Sequence, residues 1–460
     1  MNTSPAPTGR RRVCVVGAGY VGLTAAACFA HIGHDVACVE SDPWRLDQLR
    51  QGRIPIHEPG LDALVAEGAA GGRLRFYAEV APALRDAEVA FLCVGTPPQP
   101  SGEPNLGPLA VAARQVAAAA PRDVVVVVKS TVPPGSCEAL ELICAEAAPA
   151  GVTVRVASSP EFLRESRAVW DFLHPDRVVV GSDDAGVTDL IGGLYPEGCA
   201  VVRCDRRGAE LVKYAANTFL AVKISFANEV AHLCGALGTD ATAVLEGVGL
   251  DRRIGTAFLR PGPGYGGSCL PKDVAGFRAA GEALGAPTWL ADAAERSNDQ
   301  ARRAVVETLR AAVGSLAGKQ VAVLGFAFKA GTDDTRDSPG LDIAGQLVEA
   351  GASVRIHDPL AAPLSHPGRR AAGVGDAVLG ADAVVVTTDA AEYRSIRPDW
   401  LAGTMHGRTA VDAAAIFDVA AFSAEGITVY GVGRGAPTDF PAVVWSPLRW
   451  AHPVSGGVPV

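Results

Sequence analysis

The chain has 460 residues, a hydrophobic fraction of 48%, a charged fraction of 20% and a formal net charge of −9. It is too long for one ordinary core and has no basic surplus with which to neutralise nucleic-acid phosphates. No apolar run approaches the ~20 residues a membrane helix needs, and no clean signal-peptide core follows Arg10–Arg12. The ten cysteines include no Cys-x-x-Cys pair, so zinc-knuckle and thioredoxin patterns are not supported and no metal site is expected. Cysteines such as Cys14, Cys28, Cys38, Cys93, Cys144 and Cys234 sit in apolar runs, as small buried hydrophobes in a reducing cytoplasm would.

Val13–Val16 is a short apolar run that meets Gly17-Ala18-Gly19-Tyr20-Val21-Gly22. The Ala-rich segment Leu23–His31 predicts a helix ended by Gly33, and Asp35–Val39 predicts a strand closing on Glu40. A glycine triplet alone is weak evidence; between strand and helix it predicts a dinucleotide cradle. Gly17 makes the tight turn, Gly19 lets pyrophosphate approach the backbone, and Gly22 lets helix pack on strand. The helix N-terminus faces the anion. Glu40 lies 40 − 22 = 18 residues past the last glycine, where an acid binds both ribose hydroxyls and repels a 2′-phosphate. NAD is favoured over NADP, with Arg45 as a nearby cation that could accept that phosphate.

Further strands are predicted at Val89–Val94, Val124–Val128 and Val152–Ala157. The nearly continuous Val run suits a parallel strand buried on both faces. Thr96, Thr131, Glu161 and Glu165 fall just past strand C-termini, the edge where such sheets bind ligands. Each alone is more often a cap or turn residue; together they point to a site. Gly208–Leu237 reads as one helix about 40 Å long, long enough to join two domains, with Lys213 and Asn217 at i and i+4 on one face.

Next comes Pro263-Gly-Tyr-Gly-Gly-Ser-Cys-Leu-Pro-Lys-Asp273. A thiol at Cys269 beside the Lys272 amine and the Asp273 carboxylate could be an activated nucleophile. A glycine-rich turn with a buried, inert cysteine is the commoner arrangement. After a predicted helix over Ala291–Val313, a second α/β unit opens at Lys319. Strands are predicted at Val321–Leu324, Val354–His357, Ala383–Thr387 and Thr409–Val411, with a helix from about Gly340. It lacks the glycine triplet, so its expected role is to hold a second ligand. Pro441–Val460 reads as a loose tail. The fold class is therefore α/β, with two Rossmann-like, doubly wound parallel-sheet domains joined by a long central helix.

These segments resemble the UDP-glucose/GDP-mannose dehydrogenase family from about Val13 to about Val432. The similarity is carried by Gly17–Leu23, Val94-Gly-Thr-Pro-Pro98, Lys129-Ser-Thr131 and Ser159-Pro-Glu-Phe-Leu-Arg-Glu165. Later it is carried by Lys213-Tyr-Ala-Ala-Asn217, Arg253-Ile-Gly255, Gly264–Asp273, Phe326-Ala-Phe-Lys329 and Thr335-Arg336. Asp171-Phe-Leu-His-Pro-Asp-Arg177 is most similar to the branch that acts on UDP-glucose. The resemblance implies a tail at 1–12, an NAD-binding domain at 13–205, a central helical domain with the cysteine loop at 206–315, a UDP-sugar domain at 316–440 and a tail at 441–460. It implies a cytoplasmic homodimer formed through the central helix, with no nucleic acid or membrane as partner.

The implied reaction oxidises a sugar C6 alcohol to a carboxylate and reduces two NAD. The resemblance makes Cys269 the nucleophile, Glu161 a base for hydrolysis, Lys213 the oxyanion partner and Asn217 a positioning group. Asp273, supported by Thr131, would hold a water or proton near the thiol. Beyond Gly17–Gly22, Glu40 and Arg45, it assigns cofactor contacts to Thr96, Thr131, Glu165, Lys272 and Arg336. Substrate contacts fall on Glu161, Phe162, Leu163, Arg164, Glu165, Lys213, Asn217, Arg253, Phe258, Leu259, Arg260, Pro261, Gly262, Gly266, Phe328 and Lys329. One departure stands out: Val411-Asp412 is followed by Ala413-Ala414-Ala415 where the family often has Gly-Arg, which puts an inter-subunit substrate contact in doubt. The alternatives are the same chemistry on GDP-mannose or a UDP-N-acetylhexosamine, a single-step 3-hydroxy-acid dehydrogenase, and a non-catalytic NAD module.

Overall fold

The computed structural model describes residues 9–99, 102–362, 365 and 367–433; the expected tail at 441–460 lies outside them. The chain packs as two units. The first holds the residues up to Ala221 with Ser268–Asp292 and Gly331–Asp334; the second holds Val222–Gly267, Ala293–Ala330 and the residues from Thr335 on. This packing groups residues differently from the division into 13–205, 206–315 and 316–440, because the cysteine-bearing segment belongs with the first sheet. The helix Arg206–Leu237, 32 residues long, runs from the first unit into the second.

The first unit is built on β1 (Arg12–Val16), β2 (Asp35–Val39), β3 (Leu74–Tyr77), β4 (Val89–Leu92), β5 (Val124–Val128), β6 (Val154–Ser158), β7 (Val178–Gly181) and β8 (Val201–Cys204). Their order is β3-β2-β1-β4-β5-β6-β7-β8. All five valines of β5 are buried, as a central strand covered on both faces requires. Apolar residues divide between two clusters, Val13, Val15, Phe29 and Phe91 in one and Cys14, Val16, Leu92 and Val126 in the other. This is the period of two expected of strands whose alternate side chains point to opposite faces.

The expected strand Val89–Val94 stops at Leu92, because beyond the Cys93 N–H bond to Val16 O the edge is taken by Ser130, whose hydroxyl donates to Val94 O at 2.6 Å. Strands β3, β7 and β8 escape the sequence reading, being short and, in β8, half-exposed. β7 meets β6 antiparallel at a single pair, Ser158 and Gly181, so this sheet is not parallel throughout. A Cβ at Gly181 would lie 2.6 Å from Ala209 Cβ and 2.7 Å from Asp205 O, which is why the crossing there needs glycine. The expected 1–12 tail is tied down from Arg10, whose guanidinium pairs with Asp35.

The second unit carries β9 (Gln320–Leu324), β10 (Ser353–His357), β11 (Arg369–Arg370), β12 (Ala383–Val386), β13 (Thr409–Asp412) and β14 (Thr428–Gly431). They are ordered β11-β10-β9-β12-β13-β14, all parallel, so each sheet reverses direction of growth beside its own first strand. The turns after β1 and β9 also correspond. Gly17 and Gly325 both have positive φ, +97° and +100°, and a Cβ at Gly22 or Gly340 would lie 1.8 or 2.2 Å from the carbonyl oxygen of that turn glycine. The partner of Gly22 was invisible in sequence because 14 residues, 326–339, separate Gly325 from Gly340. One difference is chemical. Asp358, at the end of β10, accepts hydrogen bonds from Phe326 N and Ala327 N, both at 2.9 Å.

Candidate active site

Four segments of the first unit bring side chains to one place: the loop after β6, the first half of the long helix, the start of helix Leu270–Ala283, and residues 331–334. Cys269 is the N-cap of that helix. Its sulfur therefore sits where unpaired N–H groups and the helix dipole favour an anion. Gly276 lets this helix lie against the long one: a Cβ there would come within 2.6 Å of the Tyr214 ring. That close approach brings Lys213 and Asn217, one turn apart, to the thiol.

Lys213 Nζ donates to Glu161 Oε1 at 2.8 Å, and the two side chains are only 4% and 7% exposed. The second oxygen of Glu161 accepts Leu163 N at 2.6 Å. Asn217 Nδ2 donates to Asp273 Oδ2 at 2.6 Å, and Lys272 Nζ reaches Asp273 Oδ1 at 2.5 Å. Burial works against charge on both members of the Lys213–Glu161 pair. It is outweighed by their mutual attraction, which holds the carboxyl below and the ammonium above their ordinary values. Both are charged at neutral pH.

Burial raises the Cys269 thiol, as does the charge of Glu161; Lys213 opposes them, Asp273 adds to them, and the Ser268 hydroxyl favours the thiolate. The resting protein therefore holds a thiol rather than a ready thiolate. The cation that acts on it is Lys213, whereas the Lys272 amine singled out from sequence is spent on Asp273. The other buried cysteines differ. Cys14 and Cys93 are pushed up to about 12 chiefly by burial, the mark of inert thiols.

Glu165 lies four residues beyond Glu161 in the loop after β6. Its carboxylate accepts the Ser268 hydroxyl at 3.2 Å and the Thr332 hydroxyl at 3.0 Å. Ser268 Oγ in turn lies 3.6 Å from Cys269 Sγ. Neither Ser268 nor Thr332 was singled out from sequence. Ser268 could have been, since it adjoins the cysteine; Thr332 could not, since it arrives from beyond β9. Thr131 contributes its carbonyl, which accepts the Thr96 hydroxyl at 2.9 Å.

The turn after β1 has the shape of a dinucleotide cradle. A Cβ on Gly17 would lie 2.9 Å from Cys93 O, while Gly19 faces open space. The helix Tyr20–Ile32 has no side-chain cap, leaving its first N–H groups for a pyrophosphate. Glu40 is buried at the end of β2 and accepts Asp42 N at 2.8 Å. Arg45 is half-buried one turn further on. Tyr20 meets the other loop: its hydroxyl accepts Ser166 N at 3.0 Å, alongside Glu58 Oε2 at 2.8 Å. These residues fit a bound dinucleotide.

Other expected contacts are distributed unevenly. Phe162 is covered by the Arg177 guanidinium at 3.7 Å and lies 5.5 Å from Lys213 Nζ. The Arg164 guanidinium is held by both oxygens of Asp171, and Leu163 packs on the first core. In the second unit, a cavity of about 620 Å³ is lined by Leu259, Arg260, Pro261, Gly262, Phe328 and Lys329 with Thr387–Asp389 and Ala413–Ala415. It opens at the C-terminal ends of β9, β12 and β13, the switch point of that sheet. Arg253 is exposed and paired with Asp251, and neither it nor Phe258 lines this cavity. Gly266 is needed by the chain itself, since a Cβ would lie 2.2 Å from Asp337 O. Arg336 belongs to the second unit and is exposed. Ala413–Ala415 present no charge to the cavity; Arg408 Nη1 donates to Gly407 O at 3.4 Å and also to Ala402 O.

A glycine cradle at the switch point of a mostly parallel sheet, with an acid closing the second strand, defines a dinucleotide-binding protein. Sequence profiles narrow that class. The NAD binding, central and UDP binding domains of the UDP-glucose/GDP-mannose dehydrogenase family match residues 11–197, 207–300 and 322–419. The chain is 41% identical to a UDP-glucose 6-dehydrogenase of Rhizobium meliloti, over 92% of this chain and 99% of that one. It is also 41% identical to one of Pseudomonas aeruginosa, over 92% and 97%. A UDP-glucose dehydrogenase structure from Pyrobaculum islandicum superposes with a TM-score of 0.87 at 38% identity, covering 95% of this chain and all of that one. The chain belongs to the UDP-glucose/GDP-mannose dehydrogenase family.

Proposed function

We propose that the chain oxidises UDP-glucose to UDP-glucuronate with two NAD, through covalent intermediates on Cys269. The observation that carries the reading is the gathering of Lys213, Asn217, Asp273 and Glu161 around a thiol at a helix N-terminus. The names of the relatives at 41% identity favour UDP-glucose as the substrate. NAD, held by Gly17–Gly22 and Glu40, supplies a hydride acceptor for each oxidation.

The rest is done by the chain. Lys213 stabilises negative charge on the C6 oxygen, and Asn217 orients that oxygen. Once C6 is an aldehyde, Cys269 adds to it and holds it as a thiohemiacetal, so that it cannot escape. The second oxidation leaves a thioester. Glu161, ionised beside Lys213, takes a proton from the water that releases the acid, and the thiolate departs. Asp273, anchored by Asn217 and Lys272, keeps the reacting groups in register. Leu259–Gly262, Phe328 and Lys329 line a cavity suited to the nucleotide, with Arg260 and Lys329 as its cations.

Purified full-length protein incubated with NAD and UDP-glucose should release two NADH per sugar consumed. One NADH per sugar would refute the covalent scheme. Release only with GDP-mannose or a UDP-N-acetylhexosamine would move the substrate and keep the chemistry. We further propose that the chain is a cytoplasmic homodimer through its long helix, where Leu211, Phe219, Phe226 and Leu233 are 43–64% exposed at near-heptad spacing. No helix among the described residues is long and apolar enough to cross a membrane. Sedimentation of the wild type and of Phe219→Asp checks the dimer; identical monomeric profiles would refute it.

A further inference from the structure

The cavity of the second unit has its charges at the rim. Arg260, Glu246 and Asp389 on its lining are all exposed, and Asp389 is held by Arg394 at 3.0 Å. The buried part of the lining carries no charge: it consists of Leu245, Leu259 and Ala413 with Thr387 and Thr388, where β12 ends. Thr387 is spent on the fold, since its hydroxyl donates to Leu324 O at 3.2 Å and to Gly325 O.

Thr388 is different. It is 5% exposed, and its hydroxyl has no protein partner among the described residues. Of the buried polar atoms in that condition, it is the one on the lining of the cavity. The nearest backbone cannot serve it. Thr388 lies against Gly325, where a Cβ would come within 2.2 Å of the hydroxyl oxygen. Yet the Gly325 N–H is taken by His357 O at 2.8 Å, and its carbonyl by Thr387. A buried hydroxyl without a partner costs stability. A ligand removes that cost when one of its own polar atoms reaches the group.

Position decides which part of a nucleotide does so. A diphosphate is strongly solvated and belongs with the cations, of which Arg260 is exposed. The uncharged floor suits the nucleoside. We propose that Thr388 is a specificity-determining residue whose hydroxyl hydrogen-bonds an uncharged oxygen of the nucleoside, on the base or the ribose. The assignment rests on the reading of this cavity as the nucleotide site and adds the group that reads the nucleoside. The hydroxyl donates to a base carbonyl, or shares a hydrogen bond with a ribose hydroxyl. A ligand with no oxygen there leaves Thr388 stranded, so the site rejects it by more than the gain of one bond.

The test is calorimetric titration of the full chain with UDP, without NAD and well below the melting temperature. Thr388→Val keeps the shape and removes the hydroxyl; it should weaken UDP binding by about tenfold. Thr388→Ser, which keeps the hydroxyl, should bind as the wild type does. UMP should lose as much as UDP; a loss confined to UDP would put the contact on the phosphates and overturn the assignment. A hydroxyl kept for the fold predicts the reverse pattern in Thr388→Val, a lower melting temperature with unchanged affinity. A preference for UDP over GDP that narrows in Thr388→Val places the contact on the base, and an unchanged preference places it on the ribose; both uphold the proposal. UDP affinity unchanged in Thr388→Val, or lost equally in Thr388→Ser, overturns the assignment and leaves the proposed function standing. A wild type that binds neither UDP nor GDP overturns the reading of the cavity, and the assignment with it.

Discussion

The Lys213–Glu161 pair allows the stability and the chemistry of the site to be separated. Both side chains are nearly inaccessible and 2.8 Å apart. Lys213→Met leaves Glu161 as a buried carboxylate without its cation, which should cost about 3–5 kcal/mol. Adding Glu161→Gln removes the stranded charge while an amide oxygen still accepts Leu163 N. The double variant should therefore recover most of that loss, ending within about 1–2 kcal/mol of wild type. Activity should return in neither variant. The pH dependence follows from the directions of the two shifts. Glu161 is depressed, so its contribution is present above the ordinary carboxyl value and lost as pH falls through its folded value. Lys213 is raised, so its contribution is complete below the ordinary lysine value and lost as pH rises through its folded value. The pair should stabilise fully from about pH 5 to about pH 9. In Lys213→Met, burial acts on Glu161 against only the smaller pulls of the Leu163 N–H and Lys129 and raises it, so this variant's deficit should shrink as pH falls. Urea unfolding followed by circular dichroism at several pH values gives the comparison. A double variant no more stable than the single one, or a deficit that widens in acid, would refute the reasoning.

Three further outcomes are expected. Cys269→Ser should form no thioester and make no uronate, read by mass spectrometry of the quenched protein and by NADH release; uronate at the wild-type rate would remove the thiol from the mechanism. Gly276→Val should force the Leu270–Ala283 helix away from Tyr214, costing about 1–3 kcal/mol of stability and lowering kcat more than it raises the KM for NAD. Glu40→Ala should weaken NAD binding by about tenfold, the loss of one hydrogen-bonded charge, and narrow the preference over NADP, both measured by titration.

The dinucleotide half of the site was legible because glycine has few reasons to recur at fixed spacing between a strand and a helix. Gly17 and Gly22 carry in their residue type the close contacts that the structure displays. Lys213 and Asn217 were legible as a pair because helical spacing alone puts them on one face. Partners that act across the fold were not. Nothing local to Thr332 marks it as a ligand of Glu165, and nothing at Glu58 foretells the turn at Ser166. The cations near the thiol show the same thing: Lys272 adjoins Cys269 in sequence but pairs with Asp273, whereas Lys213 reaches the thiol's surroundings from another helix. Edge strands such as β8 lacked the continuous apolar run that made β5 obvious. Arg253, singled out by its motif, is exposed and paired with Asp251 away from the lining of this cavity, a placement no sequence pattern could foretell.

Asp358 has a consequence for how many coenzyme molecules one chain can carry. Where the first sheet offers bare amides to an incoming diphosphate, the second has already satisfied the equivalent amides with a carboxylate of its own. A nucleotide-binding fold that carries its own anion at that turn is expected to refuse the coenzyme's diphosphate. Calorimetric saturation should stop at one equivalent of NAD per chain, leaving the neighbouring cavity to a ligand that does not compete for those amides.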